Sequence, residues 1–233
     1  LQQQNTTLET IAQTIFKEWF GKYQLGEELP DGWRVGKLGE LCVKISKGTT
    51  PRKIDLEGLG VSVPFLKVKD ISDNGLFKYE NIERIPKSIH ENQLKRSILE
   101  KEDILFSIAG TIGRVAIIDL KMDNANCNQA LAFIRLVDKN TFLEYVHLWI
   151  KSDTVQSEIN SSIVQGVQAN VSLTVLGNLE IIIPEIIKLK EWKEIIKPIY
   201  EKLNINNLQI QSLIKTRDTL LPKLMSGQIR VKM

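Results

Sequence analysis

Cysteine and histidine are scarce in this chain of 233 residues, with two copies of each. Cys42 and Cys127 lie far apart in no C-x-x-C pattern, and neither His90 nor His147 is near them in sequence, which argues against a disulfide framework and against the usual Cys/His metal spacings. The same two histidines stand near no candidate nucleophile, so a Ser/His or Cys/His machine, whose base must reach the nucleophile, is a poor fit. No apolar run approaches the roughly 18 residues of a membrane span, and the start of the chain lacks the basic-then-apolar order of a signal peptide. An excess of one charge is missing too. Lys and Arg number 31 against 28 Asp and Glu, a net charge of +3, so affinity for phosphate has to come from local clustering. The expectation is a cytoplasmic chain with no metal, no cofactor of its own and no membrane partner. Its first residue is Leu1, as in a piece of a longer chain.

Several catalytic motifs are absent as well. The segment AGTIG has two glycines three apart but neither G-x-G-x-x-G nor the Lys-Ser/Thr of a P-loop. There is no Asn-Pro-Pro-Tyr motif of amino-methyltransferases and no nuclease-like carboxylate cluster followed by Glu-x-Lys. Neighbouring acids such as Glu102 and Asp103 read as solvated charges.

What is present is 42% hydrophobic and 25% charged, enough for one substantial core and an appendage. The appendage is the stretch Glu185 to Gln228. Leu189, Trp192, Ile196, Ile199, Leu203, Asn206, Ile210, Leu213, Arg217, Leu220 and Leu224 follow at alternating spacings of three and four, and only Asn206 and Arg217 are polar. That is a seam seeking a partner helix. As one helix it would run about 60 Å at 1.5 Å per residue, with a kink or second start expected at Pro198. At the other end, Leu1 to Phe20 place Leu8, Ile11, Ala12, Ile15, Phe16, Trp19 and Phe20 on one helical stripe. Its TIFKEW loosely echoes TLLPKL near the C-terminus, as repeats of one unit would.

Between the helices, LPDGW (Leu29 to Trp33) is a turn. Strands are expected at Trp33 to Leu38, Leu41 to Ser46, Val63 to Lys67, Lys101 to Ser107, Arg114 to Asp119, Ala130 to Leu136 (buried) and Leu179 to Ile183, with helices at Phe142 to Ile150 and Val155 to Ile163 and helix or irregular chain at Ser88 to Ser97. The loop KGTTPRK, Lys47 to Lys53, sets Lys47, Arg52 and Lys53 beside Thr49 and Thr50, with no acid between Leu41 and Ile54; such a surface suits phosphate oxygens. Lys67 and Lys69 share a face by strand alternation. SIAGTIGR, Ser107 to Arg114, is a tight turn exposing Ser107, Thr111 and Arg114, and GVQANVS offers Gln168 and Asn170. Alternatives stay open at two positions: Gln129 as a buried amide bracing a strand, and Arg114 in an ion pair with Asp103 or Asp119.

Six segments in one order, LPDGW, KISKGTTP, GTIGRVAI, NCNQALAFI, GVQANVSLTVLGNLEIIIP and RDTLLPKLMSGQI, resemble the target-recognition half of a specificity subunit of Type I restriction-modification systems. The resemblance implies an α+β fold: a globular target-recognition domain (26–184) with mixed β-sheet and helices, flanked by an N-terminal arm (1–25) and a long C-terminal helix (185–233) that form an antiparallel coiled coil. It implies a non-catalytic reader of one half of a split site in double-stranded DNA. Modification (methyltransferase) and restriction subunits would be partners, with S-adenosylmethionine bound by the former. TIFKEWF resembles the end of the helix preceding the second of two recognition domains, so the chain is similar to a C-terminal half or a half-sized version. Relatives often carry Gly-Gly-Thr-Pro and an aromatic pair where this chain has Lys47, Gly48, Thr49, Thr50 and Pro51, and Val167 stands where Ser or Thr is common; both departures bear on the bases read.

The expected DNA-contacting residues are Lys47, Arg52, Lys53, Lys67 and Lys69 for phosphates, and Thr49, Thr50, Ser107, Thr111, Arg114, Gln129, Gln168 and Asn170 for base edges. The N-terminal arm is about half as long as its partner, so the portion from Asn206 to Met225 is expected to pair with another chain: a second copy, a second recognition domain or the modification subunit. Leu203, Asn206, Ile210, Leu213, Arg217, Leu220 and Leu224 are the assembly positions, with Asn206 and Arg217 setting register. The rival readings are a stand-alone methyltransferase or endonuclease, and a coiled-coil interaction module without DNA binding.

Overall fold

The computed structural model describes residues 1–52, 62–164 and 170–229. In chain order these form α1 (Gln2–Phe20), β1 (Arg34–Lys37), β2 (Cys42–Lys47), β3 (Ser62–Leu66), β4 (Glu83–Pro86), α2 (Lys87–Glu91), β5 (Ile104–Ser107), β6 (Val115–Ile117) and β7 (Asn126–Cys127). Then follow β8 (Leu131–Leu136), α3 (Lys139–Ile150), α4 (Asp153–Val164), α5 (Leu173–Asn178), β9 (Glu180–Ile183) and α6 (Ile186–Met225). The α+β class is as expected; β4, which ends on a proline, and the two-residue β7 are too short to show a period and are additions.

Hydrophobic alternation explains the layering. The central sheet is antiparallel in the order β2-β8-β5-β6. On β8, Ala132, Ile134 and Leu136 face one cluster with α3, while Leu131 and Phe133 face a second with Leu66, Ile71 and Leu99. A strand with apolar side chains on both faces must be covered on both. The second cover comes from the β3 region, where β4-β3-β7 form a small mixed sheet. Arg135 is the polar exception on β8: its Nε and Nη2 grip the fully buried Asp103 at 2.9 and 2.7 Å, a bidentate pair in which neither charge is stranded.

The domain opens through a two-strand ribbon. β1 pairs antiparallel with β9, from Arg34↔Ile183 to Lys37↔Glu180, so the chain enters from α1 and leaves into α6 side by side. The two helices then run antiparallel. Phe16 and Phe20 meet Trp192 near the root, with ring centroids 6.2 and 5.3 Å apart, and Asn5 meets Asn206 and Asn207 at the far end. Tyr145 of α3 joins the same aromatic group, 5.0 Å from Phe20. Docking of α3 is completed by polar contacts: Lys193 to Glu144 at 3.1 Å, Lys151 to Glu9 at 3.5 Å, and His147 Nδ1 to the Tyr200 hydroxyl at 2.6 Å.

Two expectations about α6 are corrected. The helix does not restart at Pro198; it is continuous through both Pro198 and Pro222. Proline removes a backbone donor, but Glu194, whose carbonyl loses its partner, and Pro198 are both exposed, so water can satisfy it. Asn206 does not await another chain: it is fully buried against α1, donating to Asn5 Oδ1 at 2.8 Å while Asn5 donates to Asn207 Oδ1 at 2.6 Å. The uncovered seam therefore begins further along, at Leu213 (60% exposed), Leu220 (40%) and Leu224 (39%), with Leu203 and Ile210 half-buried and Arg217 exposed. No helix among the described residues is long and apolar enough to cross a membrane.

Two outcomes are expected. A buried amide in a helix seam specifies register at a cost in stability. Asn206→Ala, which strands Asn5 Oδ1, should destabilise by about 1–3 kcal/mol, whereas Asn5→Leu with Asn206→Leu should cost far less, measured by urea unfolding. Desolvation holds the imidazole of His147 well below its ordinary range, with Lys151 adding in the same direction. The folded chain thus keeps His147 neutral while the unfolded chain protonates it below about pH 6.5. Its contribution is complete above that pH and is lost as pH falls below it, by up to about 1.4 kcal/mol per unit. His147→Gln should flatten the unfolding free energy against pH between 6.5 and 5.

Candidate nucleic-acid interface

Antiparallel registry gathers the loops that matter at one end of the central sheet. Lys47 ends β2 opposite Ala132 at the start of β8; Ser107 ends β5 opposite Leu131, and Phe106 pairs with Val115 at the start of β6. The segments 48–52, 108–114 and 128–130 accordingly leave from the same edge. Val171 N–H donates to Ile108 O at 3.0 Å, which brings Asn170 beside them, and Asn128 N–H donates to Leu66 O at 3.0 Å, which brings Lys67.

Close backbone packing sets the first of these loops. A Cβ on Gly48 would lie 1.9 Å from Cys127 O, so only glycine fits. From there Gly48 N–H donates to Leu131 O at 3.1 Å and Thr49 N–H to Cys127 O at 3.2 Å. The following turn projects Thr49, Thr50 and Arg52 outward, all exposed, over a buried Pro51. The Thr50 hydroxyl donates to the side-chain carbonyl of Gln129 across the two loops. Gln129 is exposed at the tip, and the amide that braces the interior is Asn126: it accepts from Ser97 Oγ at 2.7 Å and donates to Leu94 O at 3.1 Å. Lys47, Thr111 and Asn170 are exposed too. Lys53 and Gln168 lie outside the described residues.

Ser107 and Arg114 have a different place from the one expected. Ser107 is fully buried; its hydroxyl donates to Thr111 O at 2.6 Å and accepts from Arg114 N–H at 2.7 Å, stapling the turn that presents Thr111. Arg114 reaches neither Asp103 nor Asp119. Its guanidinium binds Asp73 Oδ1 at 2.6 and 3.0 Å, Ile71 O at 2.8 Å and Val68 O at 3.1 Å. That clamps the turn Ser72 to Gly75 onto β6, where Gly75 (φ +82°) has room for no Cβ beside Val115 O, 2.3 Å away.

Lys67 and Lys69 do meet on one side, though by another route than strand alternation. β3 stops at Leu66 and Val68–Asp70 is a 3-10 turn. Both ammonium groups converge on Glu83 of β4, at 2.6 and 3.0 Å. Hydrogen bonds from Lys67 and then Lys69 hold the Glu83 carboxyl below its usual range, so it stays ionised. Asp70 lies beside the same two cations, so the cluster balances its charges, and its exposed pairs hold weakly enough for the ammonium groups to be exchanged to another anion. Glu83 and Asp73 are what the sequence reading missed, since nothing in the sequence spacing joins them to their cations.

Both histidines are held by neighbouring polar side chains. His90 sits by Asn124 and Asn126, at 3.3 and 3.2 Å, and His147 by Tyr200. Burial pushes the thiols of Cys42 and Cys127 up to about 12, so both stay protonated at neutral pH. No group of three or more His, Cys, Asp or Glu among the described residues could hold a metal ion.

Residues 30–216 match the family described as "Type I restriction modification DNA specificity domain". The chain is 26% identical over 247 residues to the Type I restriction enzyme MjaIX specificity subunit of Methanocaldococcus jannaschii, covering 98% of this chain and 54% of that relative. It is 27% identical over 204 residues to the HindI specificity subunit of Haemophilus influenzae, covering 86% and 42%. The chain thus spans about half the length of the curated relatives it matches. The fold is similar to that of the HsdS subunit from Thermoanaerobacter tengcongensis, with a TM-score of 0.57 at 20% identity over 97% of this chain and 52% of that one. With four-fifths of its length inside one family match, the chain belongs to the Type I restriction-modification DNA specificity domain family.

Proposed function

We propose that this chain reads one half of a split site in double-stranded DNA and performs no chemistry itself. Residues 26–184 form the reading domain, and 1–25 and 185–233 form arms on which the modification and restriction subunits dock. The observation that carries this reading is the convergence of four loop segments at one end of the central sheet, with exposed polar tips on a cationic rim. Lys47, Arg52, Lys67 and Lys69 neutralise phosphates, which set position. Thr49, Thr50, Thr111, Gln129 and Asn170 stand nearest the base edges, where an amide pairs best with adenine. Lys53 and Gln168 keep the roles proposed from sequence, phosphate and base edge respectively. Ser107 and Arg114 act from behind, by holding the turns that present Thr111 and the Lys67–Lys69 segment.

The seam of α6 beyond Ile210 supports a helical partner: a second copy of this chain, a second recognition domain in a longer chain, or the modification subunit. Leu213→Glu and Leu220→Glu should leave the melting of the domain unchanged and abolish assembly in light scattering; unchanged mass and partner binding would remove the assembly role.

The bases read are best obtained by mapping methylation in cells that also express the cognate modification subunit. On a duplex of that sequence, binding should fall with salt at a log-log slope of about −0.9 per phosphate neutralised, and a slope near zero would overturn the proposal. Lys47→Ala or Arg52→Ala should weaken binding to all sequences alike and reduce the slope by about 1. Gln129→Ala should cost about 1–3 kcal/mol of discrimination at a single base pair.

A further inference from the structure

Among the described residues, the long helix meets the domain in two regions. The first is its root, through Trp192, Lys193 and Tyr200. The second lies about 16.5 Å beyond Tyr200, at 1.5 Å per residue, where the Lys121 ammonium donates to the side-chain carbonyl of Gln211, itself hydrogen-bonded to the Tyr79 hydroxyl. Lys121 Nζ also stands 5.1 Å over the ring of Tyr79. The Tyr79 hydroxyl donates to Asp119 Oδ2, and Asp119 Oδ1 accepts from the N–H groups of Lys121 and Met122, each at 3.0 Å. Tyr79 packs on Phe77, 6.0 Å between centroids, against the second apolar cluster. The turn carrying Lys121 is therefore held firmly to the domain, although Lys121 itself is exposed.

We propose that the contact of Lys121 and Tyr79 with Gln211 is a positioning latch, which fixes the tilt of the reading domain on α6 and thereby selects the spacing between the two halves of the DNA site. The proposal rests on the reading of a split site given above. Lys121 follows β6, whose far end carries the reading loops, so the latch and the loops lie at opposite ends of the sheet. With the root contact alone the domain can rock; a second point of attachment stops it. The six residues of β8 span about 20 Å at 3.3 Å per residue, so a rocking of about 10° displaces the loops by roughly 3.5 Å. That equals the rise of one base pair, about 3.4 Å. An exposed Lys–Gln contact adds little to stability, so its effect falls on geometry. Lys121, Tyr79 and Gln211 are positioning residues and touch no base.

The test maps methylation in cells expressing the chain with its modification subunit. Wild type should give one motif with one spacer length. If wild type gives no split motif, the reading of function fails, a result distinct from failure of the latch. Lys121→Ala with Gln211→Ala should keep the same half-site bases and an unchanged melting temperature, while methylation at sites one base pair longer or shorter rises by up to about fivefold. Lys121→Gln with Gln211→Lys restores a Lys–Gln contact with the partners exchanged and should restore the single spacer. A spacer profile in the double alanine variant identical to wild type would overturn the latch, as would a profile that stays broad in the variant with the partners exchanged.

Discussion

The aromatic group of Phe16, Phe20, Tyr145 and Trp192 is the contact on which the rest of the structure depends. There both arms and the reading domain share a buried core. Rings arranged edge-on or tilted at 5.0 to 6.2 Å are each worth about 0.5–1.5 kcal/mol beyond the area they bury. Because β1 and β9 pair immediately beside this group, the helices leave it in one direction and must run antiparallel. Everything distal to it, including the buried Asn5 and Asn206 and the open seam, follows from that direction.

Polar groups differ between the interior and the loop end of the sheet. In the interior some are enclosed and paired, as in the Arg135–Asp103 pair on β8 and the His147–Tyr200 contact, while Trp192 Nε1 and Asn206 Oδ1 are buried without a hydrogen-bond partner; removing one partner of such a pair leaves the other without compensation. At the loop end of the sheet the charges are exposed and loosely held, as where Lys67 and Lys69 share Glu83. Stability favours the first arrangement and exchangeable binding the second. Ser107 and Arg114 lie between the two regimes, holding loop backbones in shape while keeping their own polar atoms occupied. A surface built to exchange ions needs such braces, because its exposed side chains contribute little to their own placement.

Local periodicity made much of the fold legible in advance. The spacing of three and four from Leu189 to Leu224 describes a helix with one sticky face, and the apolar run of Leu131 to Leu136 describes a strand covered on both sides. LPDGW and Ser72 to Gly75 carry turn chemistry in their own residues. The candidate site was half legible. Thr49, Thr50, Thr111, Gln129 and Asn170 lie on loops that nearby turn residues force to the surface. Ser107 and Arg114 have the same composition of neighbours, yet their side chains point inward.

By itself the sequence determined most of the elements, the helical seam, the family and the loops that carry polar tips, since these depend on residues within a few positions of one another. Tertiary structure alone decided which of those tips are available. Lys67 meets Glu83 across 16 positions, Arg114 meets Asp73 across 41, Thr50 meets Gln129 across 79 and Lys121 meets Gln211 across 90. Electrostatic pairing depends on distance in space and is indifferent to distance along the chain. No local pattern can report it.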